Sequence, residues 1–325
     1  MARCLLGVVV PLFVCAASAQ TTTELGWTAL IENRDREAEQ HFQPAIRANV
    51  GDARAWFGTS YAQGMRSESG SWASFRSGLR HVPDPHPYLY ASVLTTRMQS
   101  QFGVNNDELI DVWKSVVEKP DSLGILRAMA FENLGTLYEL KGDVPQSQAW
   151  SNKIGSISTW RLIGPFDNIS GSGHERKFEP ERSDDADAQY EGESGRRVRW
   201  HEPPAIRNDR WVDMSRYFPV VQGVFYARTY VYIPKTQRLH IRLGTSGSFK
   251  LFVDTTLVDE SFDELNNDLD TYNSAITLNE GWHSILVKCG ASEITRCNFL
   301  LRLTDEQGVP IPDVQVSTQV QKTTI

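Results

Sequence analysis

The chain has 325 residues, of which 33 are lysine or arginine and 40 are aspartate or glutamate, so its formal net charge at pH 7 is −7. Proteins that bind nucleic acid normally carry a basic surface, and this acidic balance argues against a nucleic-acid ligand. A chain of this length is more than one hydrophobic core usually holds, so two domains are expected.

The first residues have the pattern of a secretory signal peptide. Arg3 precedes an apolar run from Cys4 to Ala17, which the small residues Ala17-Ser18-Ala19 close. This pattern predicts a signal peptide over residues 1–19, cut before Gln20. The run is shorter than the roughly 20 apolar residues of a membrane-spanning helix, and no later segment approaches that length. We therefore expect an exported protein, periplasmic or extracellular, without a membrane-spanning segment.

Residues 20–157 have the periodicity of helices. Apolar residues recur at intervals of three and four, and turn-forming residues interrupt them. The interruptions are at Gly51-Asp52, Pro83, Pro120 and Gly142-Asp143. This spacing predicts four helix pairs, near 22–50, 53–83, 86–119 and 122–156.

Two of these predicted pairs resemble the tetratricopeptide repeat. Phe131-x2-Leu134-Gly135-x2-Tyr138 matches the first helix of the repeat, with Phe in place of Trp, and Ala38-x3-Phe42 matches the second. A single helix pair cannot bury its apolar face, so such pairs stack into a solenoid. The resemblance implies a concave surface for a protein or peptide partner. The alternative is an irregular helical domain with chance matches.

After Ser158 the period changes to two, which predicts β-strands. The strand-like segments are 224–233, 239–243, 249–253, 285–288 and 299–303. Short strands joined by turns, with no helical stretch between them, favour an antiparallel sandwich over residues 158–312. Residues 313–325 are polar and are interpreted as a linker or disordered tail. The predicted fold class is therefore an α+β multidomain protein, an α-solenoid followed by a β-sandwich.

The β-rich part resembles a known family of sandwiches. The segments Trp160-Arg161-Leu162-Ile163-Gly164-Pro165-Phe166 and Gly281-Trp282-His283-Ser284-Ile285 are similar to those of the galactose-binding-like jelly roll of exported bacterial proteins. That domain often lies beside tetratricopeptide repeats and sometimes ahead of a transglutaminase-like domain. The resemblance implies an accessory domain that binds carbohydrate or braces its neighbours.

Alternation along the strand 224–233 suggests a saccharide platform. One face carries Phe225 and Val231 and is expected to be internal, whereas the other carries aromatic and cationic side chains that stack on sugars or donate to hydroxyls. The platform residues are Tyr226, Arg228, Tyr230 and Tyr232, with His240 and Arg242 outward on an expected neighbouring strand. The alternative is that these side chains pack on the helical part or pair across strands.

An acidic loop is a candidate calcium site, because it is rich in the oxygen ligands that calcium prefers. Its candidate ligands are Asp263, Asn266, Asp268 and Asp270. The loop lacks the spacing of an EF-hand, and a solvated acidic turn is the alternative. No other cofactor is expected.

Two cysteines follow the predicted cleavage site, and an exported protein can keep a disulfide. Strand parity places Cys289 and Cys297 on the same side of an expected hairpin, which predicts a disulfide between them. The alternative is a pair of inert thiols.

The sequence contains no recognisable catalytic site. The acidic residues Glu175, Glu179 and Glu181, with His174 and Asp167, lie in one loop, where nothing fixes the separation that glycoside hydrolysis requires. The sequence therefore favours a non-catalytic exported scaffold protein that binds a protein or peptide. The alternatives are a carbohydrate-binding protein, or the N-terminal accessory region of a larger transglutaminase-like or glycan-active enzyme.

Overall fold

The structure, a computed structural model, consists of helices followed by antiparallel sheets, which confirms the predicted α+β architecture. It describes residues 21–90, 106–218, 222–265, 267–293, 296–319 and 321, so the predicted signal peptide lies outside the described part. No helix in that part is long and apolar enough to cross a membrane. The chain divides into two compact units, Met1–Val104 and Asn105–Ile325.

The first unit contains consecutive helices that pack on one another. Their bounds are Thr22–Ile31 (α1), Asp35–Ala48 (α2), Ala53–Met65 (α3), Ser71–His81 (α4) and His86–Leu89 (α5). Capping side chains fix two of the helix starts, because they satisfy backbone N–H groups that the helix leaves unpaired. Thr21 accepts from the Glu24 N–H before α1, and Asp52 accepts from the Ala55 N–H before α3. The turn predicted at Gly51-Asp52 thus precedes α3.

Phe42 is the wedge of this helical stack. Its ring is fully buried and contacts a glycine on each side, Gly26 in α1 and Gly58 in α3. A Cβ atom at Gly58 would lie 2.2 Å from Phe42 Cζ, and one at Gly26 would lie 2.5 Å from Cε1. The two glycines therefore let neighbouring helices approach the ring closely.

Three helices begin the second unit: Asn106–Glu118 (α6), Gly124–Leu140 (α7) and Val144–Ser151 (α8). Consecutive members of this set pack on one another. At Gly135 a Cβ atom would lie 2.3 Å from Ser151 Oγ, so a small residue is needed where α7 meets α8. The tetratricopeptide identity of the helices stays a prediction, and so do the domain ranges 20–157 and 158–312.

Two antiparallel sheets form the sandwich. The first sheet has the order Arg161–Phe166 (β1), Gly223–Ile233 (β5), Gly281–Ala291 (β10), Ser248–Val253 (β7) and Thr256–Ser261 (β8), and Gln315–Ser317 (β12) also pairs with β5. The second has the order Val212–Asp213 (β4), Asn298–Thr304 (β11), Gln237–Ser246 (β6) and Tyr272–Leu278 (β9). Gln189–Glu191 (β2) and Arg197–Arg199 (β3) form a separate hairpin.

Side chains from both sheets fill the interior of the sandwich. Phe225, Val231 and Ile285 point inward from the first sheet, and Leu243 and Phe299 point inward from the second. All five are at most 1% exposed. The predicted inward parity of the strand 224–233 is therefore confirmed for its apolar members.

The predicted hairpin between the two cysteines is wrong. Cys289 lies in β10 of the first sheet and Cys297 immediately precedes β11 of the second, so the connection crosses between sheets. Both side chains still point into the same core, as parity predicted, and both are free buried cysteines in this structure. A hydrogen bond from Cys289, together with burial, raises the pKa of the Cys297 thiol.

Helix α7 packs on the outer face of the second sheet. The Ile125 N–H donates to Gln307 O at 3.2 Å, and Ala128 and Ile154 form an apolar cluster with Leu300 and Leu269. Because the last helices share this interface with the sheet, they belong to the same compact unit as the sandwich.

Replacing Gly58 by alanine is expected to destabilise the first unit. The added Cβ would meet the Phe42 ring, and overpacking of this kind costs about 1–3 kcal/mol. Gly70→Ala is the matched control, because a Cβ there would have only an ordinary contact, 3.5 Å from Gln63. Urea unfolding followed by circular dichroism measures both variants. Equal stability of the two variants would contradict the wedge packing.

The contact between the thiols predicts that Cys289 and Cys297 form a disulfide when the protein is isolated from an oxidising compartment. Intact mass spectrometry should show a protein lighter by two hydrogens than the same sample after reduction. Reaction of both cysteines with a thiol reagent in the unreduced, denatured protein would contradict the prediction.

Candidate functional site

The predicted saccharide platform is not an open surface. Residues 167–200, which we call the cover segment, lie over the outer face of β5, and Tyr226, Arg228 and Tyr230 are buried beneath them. The Tyr226 hydroxyl donates to Glu181 Oε1 at 2.5 Å, and burial raises the pKa of that phenol. Arg228 donates to the carbonyl oxygens of Pro180 and Ser183. These side chains hold the cover segment in place, so they cannot serve as an exposed platform.

Lys288 is the central polar group beneath the cover segment. Its side chain is 2% exposed, and its ammonium donates to His174 O at 2.8 Å, Arg176 O at 2.7 Å and Glu181 Oε1 at 2.9 Å. Burial lowers the pKa of this lysine, and hydrogen bonding to Glu181 opposes that effect. A buried ammonium needs such partners, because an unpaired charge in the interior is strongly unfavourable.

The other predicted platform residues, Tyr232, His240 and Arg242, do not form one surface with Tyr226, Arg228 and Tyr230. Tyr232 is half-buried, and its ring contacts Trp282 edge to face at 5.6 Å. His240 and Arg242 lie on β6, which belongs to the other sheet, so the expectation that their strand neighbours β5 is wrong. His240 pairs with Asn273, and Arg242 donates to Thr304 Oγ1.

The acidic loop is not assembled as the predicted calcium site. Asp270 is buried and faces Arg302, with 3.3 Å between Oδ1 and Nε, instead of pointing to solvent. Asp263 and Asp268 are exposed, and Asn266 lies outside the described residues. Within the described part of the chain, no group of the loop's carboxylates converges as a metal site.

One group in the described residues does have the proximity of metal ligands, namely His174, Glu175 and Glu260. The ammonium of Lys250 already lies between its carboxylates, 2.7 Å from Glu260 Oε2 and 3.1 Å from Glu175 Oε2. Burial, followed by the charge of Lys250, lowers the pKa of His174. The lysine therefore supplies the positive charge that a metal ion would otherwise bring.

The acidic residues considered for hydrolysis are paired with cations. Glu181 bonds Lys288, Glu179 bonds Arg182 at 2.7 Å, and Asp167 lies 3.5 Å from Arg176. Each of these three carboxylates therefore has a cationic partner.

A polar cleft lies elsewhere in the second unit, where α7 meets the end of the second sheet. We call it the seam cleft. Its volume is about 200 Å³. Side chains from α7, from the segment before β4, from the loop before β9 and from the start of β11 line it: Glu132, Arg207, Asp209, Trp211, Asn267, Asp268, Leu269, Arg296 and Asn298.

Trp211 and Glu132 form the junction between helix and sandwich at this cleft. The indole Nε1 donates to Glu132 Oε1 at 2.7 Å, and the Trp211 N–H donates to Asp209 Oδ1 at 3.2 Å. Arg207 in turn donates to Asp209 Oδ1 at 3.0 Å and to Asp213 Oδ2 at 3.3 Å. One hydrogen bond from the indole and one from the backbone N–H therefore hold Trp211 in place.

Two amide side chains are oriented at the sandwich end of the cleft. Asn298 is 6% exposed, and its Oδ1 accepts from Ser246 Oγ at 2.8 Å, which leaves its Nδ2 without a partner in the described residues. The Nδ2 of Asn267 donates to the Tyr272 hydroxyl at 3.2 Å, which leaves Oδ1 as a free acceptor within the same part of the chain. One amide thus offers a donor and the other an acceptor.

The cleft combines carboxylates and guanidinium groups. The pKa of Glu132 is raised to about 7, chiefly by burial. The hydrogen bond from Trp211 opposes this rise, and the charges of Asp209, Asp268 and Asp270 add to it. Asp268 and Arg296 are exposed at the cleft and form no ion pair with another described residue. Free donors and acceptors beside an indole ring are suited to a polar ligand with several hydroxyl groups.

Among the cleft residues, sequence patterns point to Asp268 alone, as a candidate calcium ligand. Glu132, Trp211 and Asn298 are separated in sequence, and only the packing of α7 on the second sheet brings them together. No local motif could have signalled this cleft. The one feature of the sequence that points toward the cleft is the density of polar residues in the loops at the strand ends.

No family model matches the sequence, and no curated protein sequence matches it either. Among solved structures, a β-glucosidase from Kluyveromyces marxianus is similar at 12% identity and a TM-score of 0.22, covering 26% of this chain and 12% of that one. The PA14 domain of the antifreeze protein MpAFP is similar at 14% identity and a TM-score of 0.24, covering 31% of this chain and 55% of that one.

A family 35 carbohydrate binding module from an environmental isolate is similar at 14% identity and a TM-score of 0.22, covering 31% of this chain and 74% of that one. The chain spans well under two thirds of the β-glucosidase and of the PA14 domain. At these TM-scores the similarities carry no argument about what the chain binds.

Replacing Glu132 by glutamine is expected to change the pH dependence of stability. The carboxyl holds its proton up to about pH 7 in the folded chain, whereas its ordinary pKa is 4.5. Ionisation therefore costs folding free energy, and this cost grows as pH rises from about 4.5 to about 7. Glutamine still accepts from Trp211 and does not ionise, so Glu132→Gln should gain up to about 3 kcal/mol relative to wild type over that range.

Urea unfolding in buffers from about pH 5 to pH 8 measures this difference. Glu139→Gln, an exposed change on the same helix, is the matched control and should keep the wild-type profile. If the free energy of unfolding of wild type and of Glu132→Gln changed in parallel with pH, the raised pKa of Glu132 would be contradicted.

Proposed function

We propose that this is a non-catalytic binding protein that recognises a saccharide residue in the seam cleft. The observation that carries the proposal is the set of free polar groups beside the fixed Trp211 indole: the Asp268 carboxylate, the Arg296 guanidinium, Asn267 Oδ1 and Asn298 Nδ2. These groups come from two loops and from the start of β11 at one end of the sandwich, and hydrogen bonds orient the two amides before a ligand arrives.

The chemistry of the cleft suits a polyol. Neighbouring hydroxyl groups of a sugar donate to a carboxylate or an amide oxygen and accept from an amide or guanidinium nitrogen. An indole supplies an apolar surface for the C–H face of a sugar ring together with a polar edge. A volume of about 200 Å³ is below the roughly 300–1,000 Å³ of pockets for drug-sized ligands, which favours a single sugar residue.

The environment of the acidic residues supports a binding role over hydrolysis. Asp209 is engaged by Arg207 and by the Trp211 N–H, and Glu132 is tethered by the Trp211 indole. In the cover segment, Asp167, Glu179 and Glu181 are likewise paired with cations. We therefore propose binding without cleavage for the residues of this chain.

The helices support a second candidate role, a scaffold that binds a protein or peptide partner. Helices α1 to α4 pack in sequence, with Phe42 between α1 and α3, as stacked helix pairs do. In this proposal the protein is exported to the periplasm or beyond, and the helices bind the partner while the sandwich binds the glycan. The chain would then act alone or as the accessory region of a larger glycan-active enzyme.

A glycan array probed with the chain from Gln20 to Ile325 tests the proposal, followed by calorimetric titration of the best ligand. Asp268→Asn and Arg296→Gln should each weaken binding by roughly tenfold or more, because each removes a charged hydrogen-bonding partner. The matched controls are Asp187→Asn and Arg238→Gln, exposed changes away from the cleft, which should bind as wild type does.

Equal effects of the cleft and control variants would refute the seam cleft as the site. Release of free sugar during a long incubation with the bound glycan would refute the non-catalytic part of the proposal.

A further inference from the structure

A second, much smaller cavity lies beneath the cover segment. Its volume is about 10 Å³, roughly the space needed by the centre of one water-sized probe. It lies where β1, β5, the cover segment and the residue after β12 meet. The lining side chains are Arg161, Asp184, Ala186, Trp200, Arg228, Tyr230 and Thr318.

Four hydrogen-bond donors of this lining are buried and have no partner in the described residues: Arg161 Nη1, Trp200 Nε1, Arg228 Nε and Tyr230 OH. Trp200, Arg228 and Tyr230 are 7%, 8% and 1% exposed. Buried donors without partners are rare in native proteins, and a cluster of them around one cavity indicates a bound ion or water.

The donors outnumber what a single water molecule can accept. A water molecule accepts about two hydrogen bonds, whereas a halide ion accepts from every direction. Tyr230 lies near Arg228, yet neither its hydroxyl nor Arg228 Nε forms a hydrogen bond of normal geometry. All four donors belong to residues that line the same cavity, so a monovalent anion there is a partner that they can share.

The charges around the cavity also favour an anion. Arg161 and Arg228 both line it, against the single carboxylate of Asp184, and burial lowers the pKa of Arg228 although the charge of Asp184 opposes that effect. Asp184 lines the cavity as an exposed residue, and Glu202 lies 3.7 Å from the Nε of Arg161, not from its unpartnered Nη1. The buried side of the cavity therefore carries positive charge and donors.

We propose that this cavity binds one small monovalent anion of the size of chloride, held by Arg161, Trp200, Arg228 and Tyr230. The anion joins the sheet, through Arg161, Arg228 and Tyr230, to the cover segment, through Trp200. It therefore stabilises the closed position of the cover segment and is independent of ligand binding in the seam cleft.

The test uses the chain from Gln20 to Ile325 in chloride-free buffer. Sodium chloride, sodium bromide and sodium gluconate are added at matched ionic strength, and Tm is measured for each. Chloride and bromide should raise Tm by a few °C along a saturating curve, as expected for a ligand of the folded state. Gluconate, which is too large for the cavity, should not.

Two tyrosines on the same strand provide a matched pair of variants. Tyr230→Phe keeps the ring and removes one donor, so it should weaken the apparent halide affinity by roughly tenfold. Tyr232→Phe removes a hydroxyl outside the cavity and should leave the affinity unchanged. Crystals grown in bromide should show an anomalous peak within hydrogen-bond distance of Arg228 Nε.

A rise in Tm that is equal for all three salts would overturn the proposal, because it would reflect ionic strength alone. A water molecule in place of the anomalous peak would overturn it as well. Because neither readout involves the seam cleft, these outcomes leave the saccharide proposal to its own test.

Discussion

The buried ammonium of Lys288 is the interaction on which the arrangement of the second unit depends. Its three acceptors, His174 O, Arg176 O and Glu181 Oε1, all belong to the cover segment, so satisfying this charge fixes that segment on the sheet. Without the cover, the lysine and the neighbouring Arg228 would face solvent beside an apolar surface formed by Ile163, Phe166 and Leu286. Polar satisfaction and apolar burial therefore favour the same closed arrangement, which also encloses the small donor-lined cavity.

The cover segment closes the outer face of β5, whereas the second sheet borders the open seam cleft. The outer face of the second sheet is covered by α7, whose contact with Leu300 leaves an opening at the strand ends. Loops that end β-strands carry polar side chains on a rigid base, and such positions commonly hold binding residues. The seam cleft thus follows from the packing of α7 on the second sheet.

Local sequence patterns predict where the strands lie better than they predict which segments pack against each strand. Alternation along residues 224–233 correctly placed Phe225 and Val231 inside, because parity is a property of one strand. It could not reveal that the opposite face is covered, since the cover is formed by a loop-rich segment with no periodicity. In the same way, parity correctly predicts that both cysteines point inward, yet it contains no information that β10 and β11 lie in different sheets. The composition of its loop predicts Asp270 as a metal ligand. Its actual partner, Arg302, is 32 residues away in sequence, so no local pattern reveals the pair.

The measurement that tests the central claim most directly is nitrogen-15 NMR of the chain from Gln20 to Ile325 during titration with a glycan mixture. The account predicts that the Trp211 indole N–H and the Asn298 side-chain amide shift together, because both groups line the seam cleft. The indole of Trp160, which is buried and donates to Ile157 O, is an internal control and should not move. Shifts confined to the cover segment or the helices of the first unit, with Trp211 and Asn298 unchanged, would contradict the account.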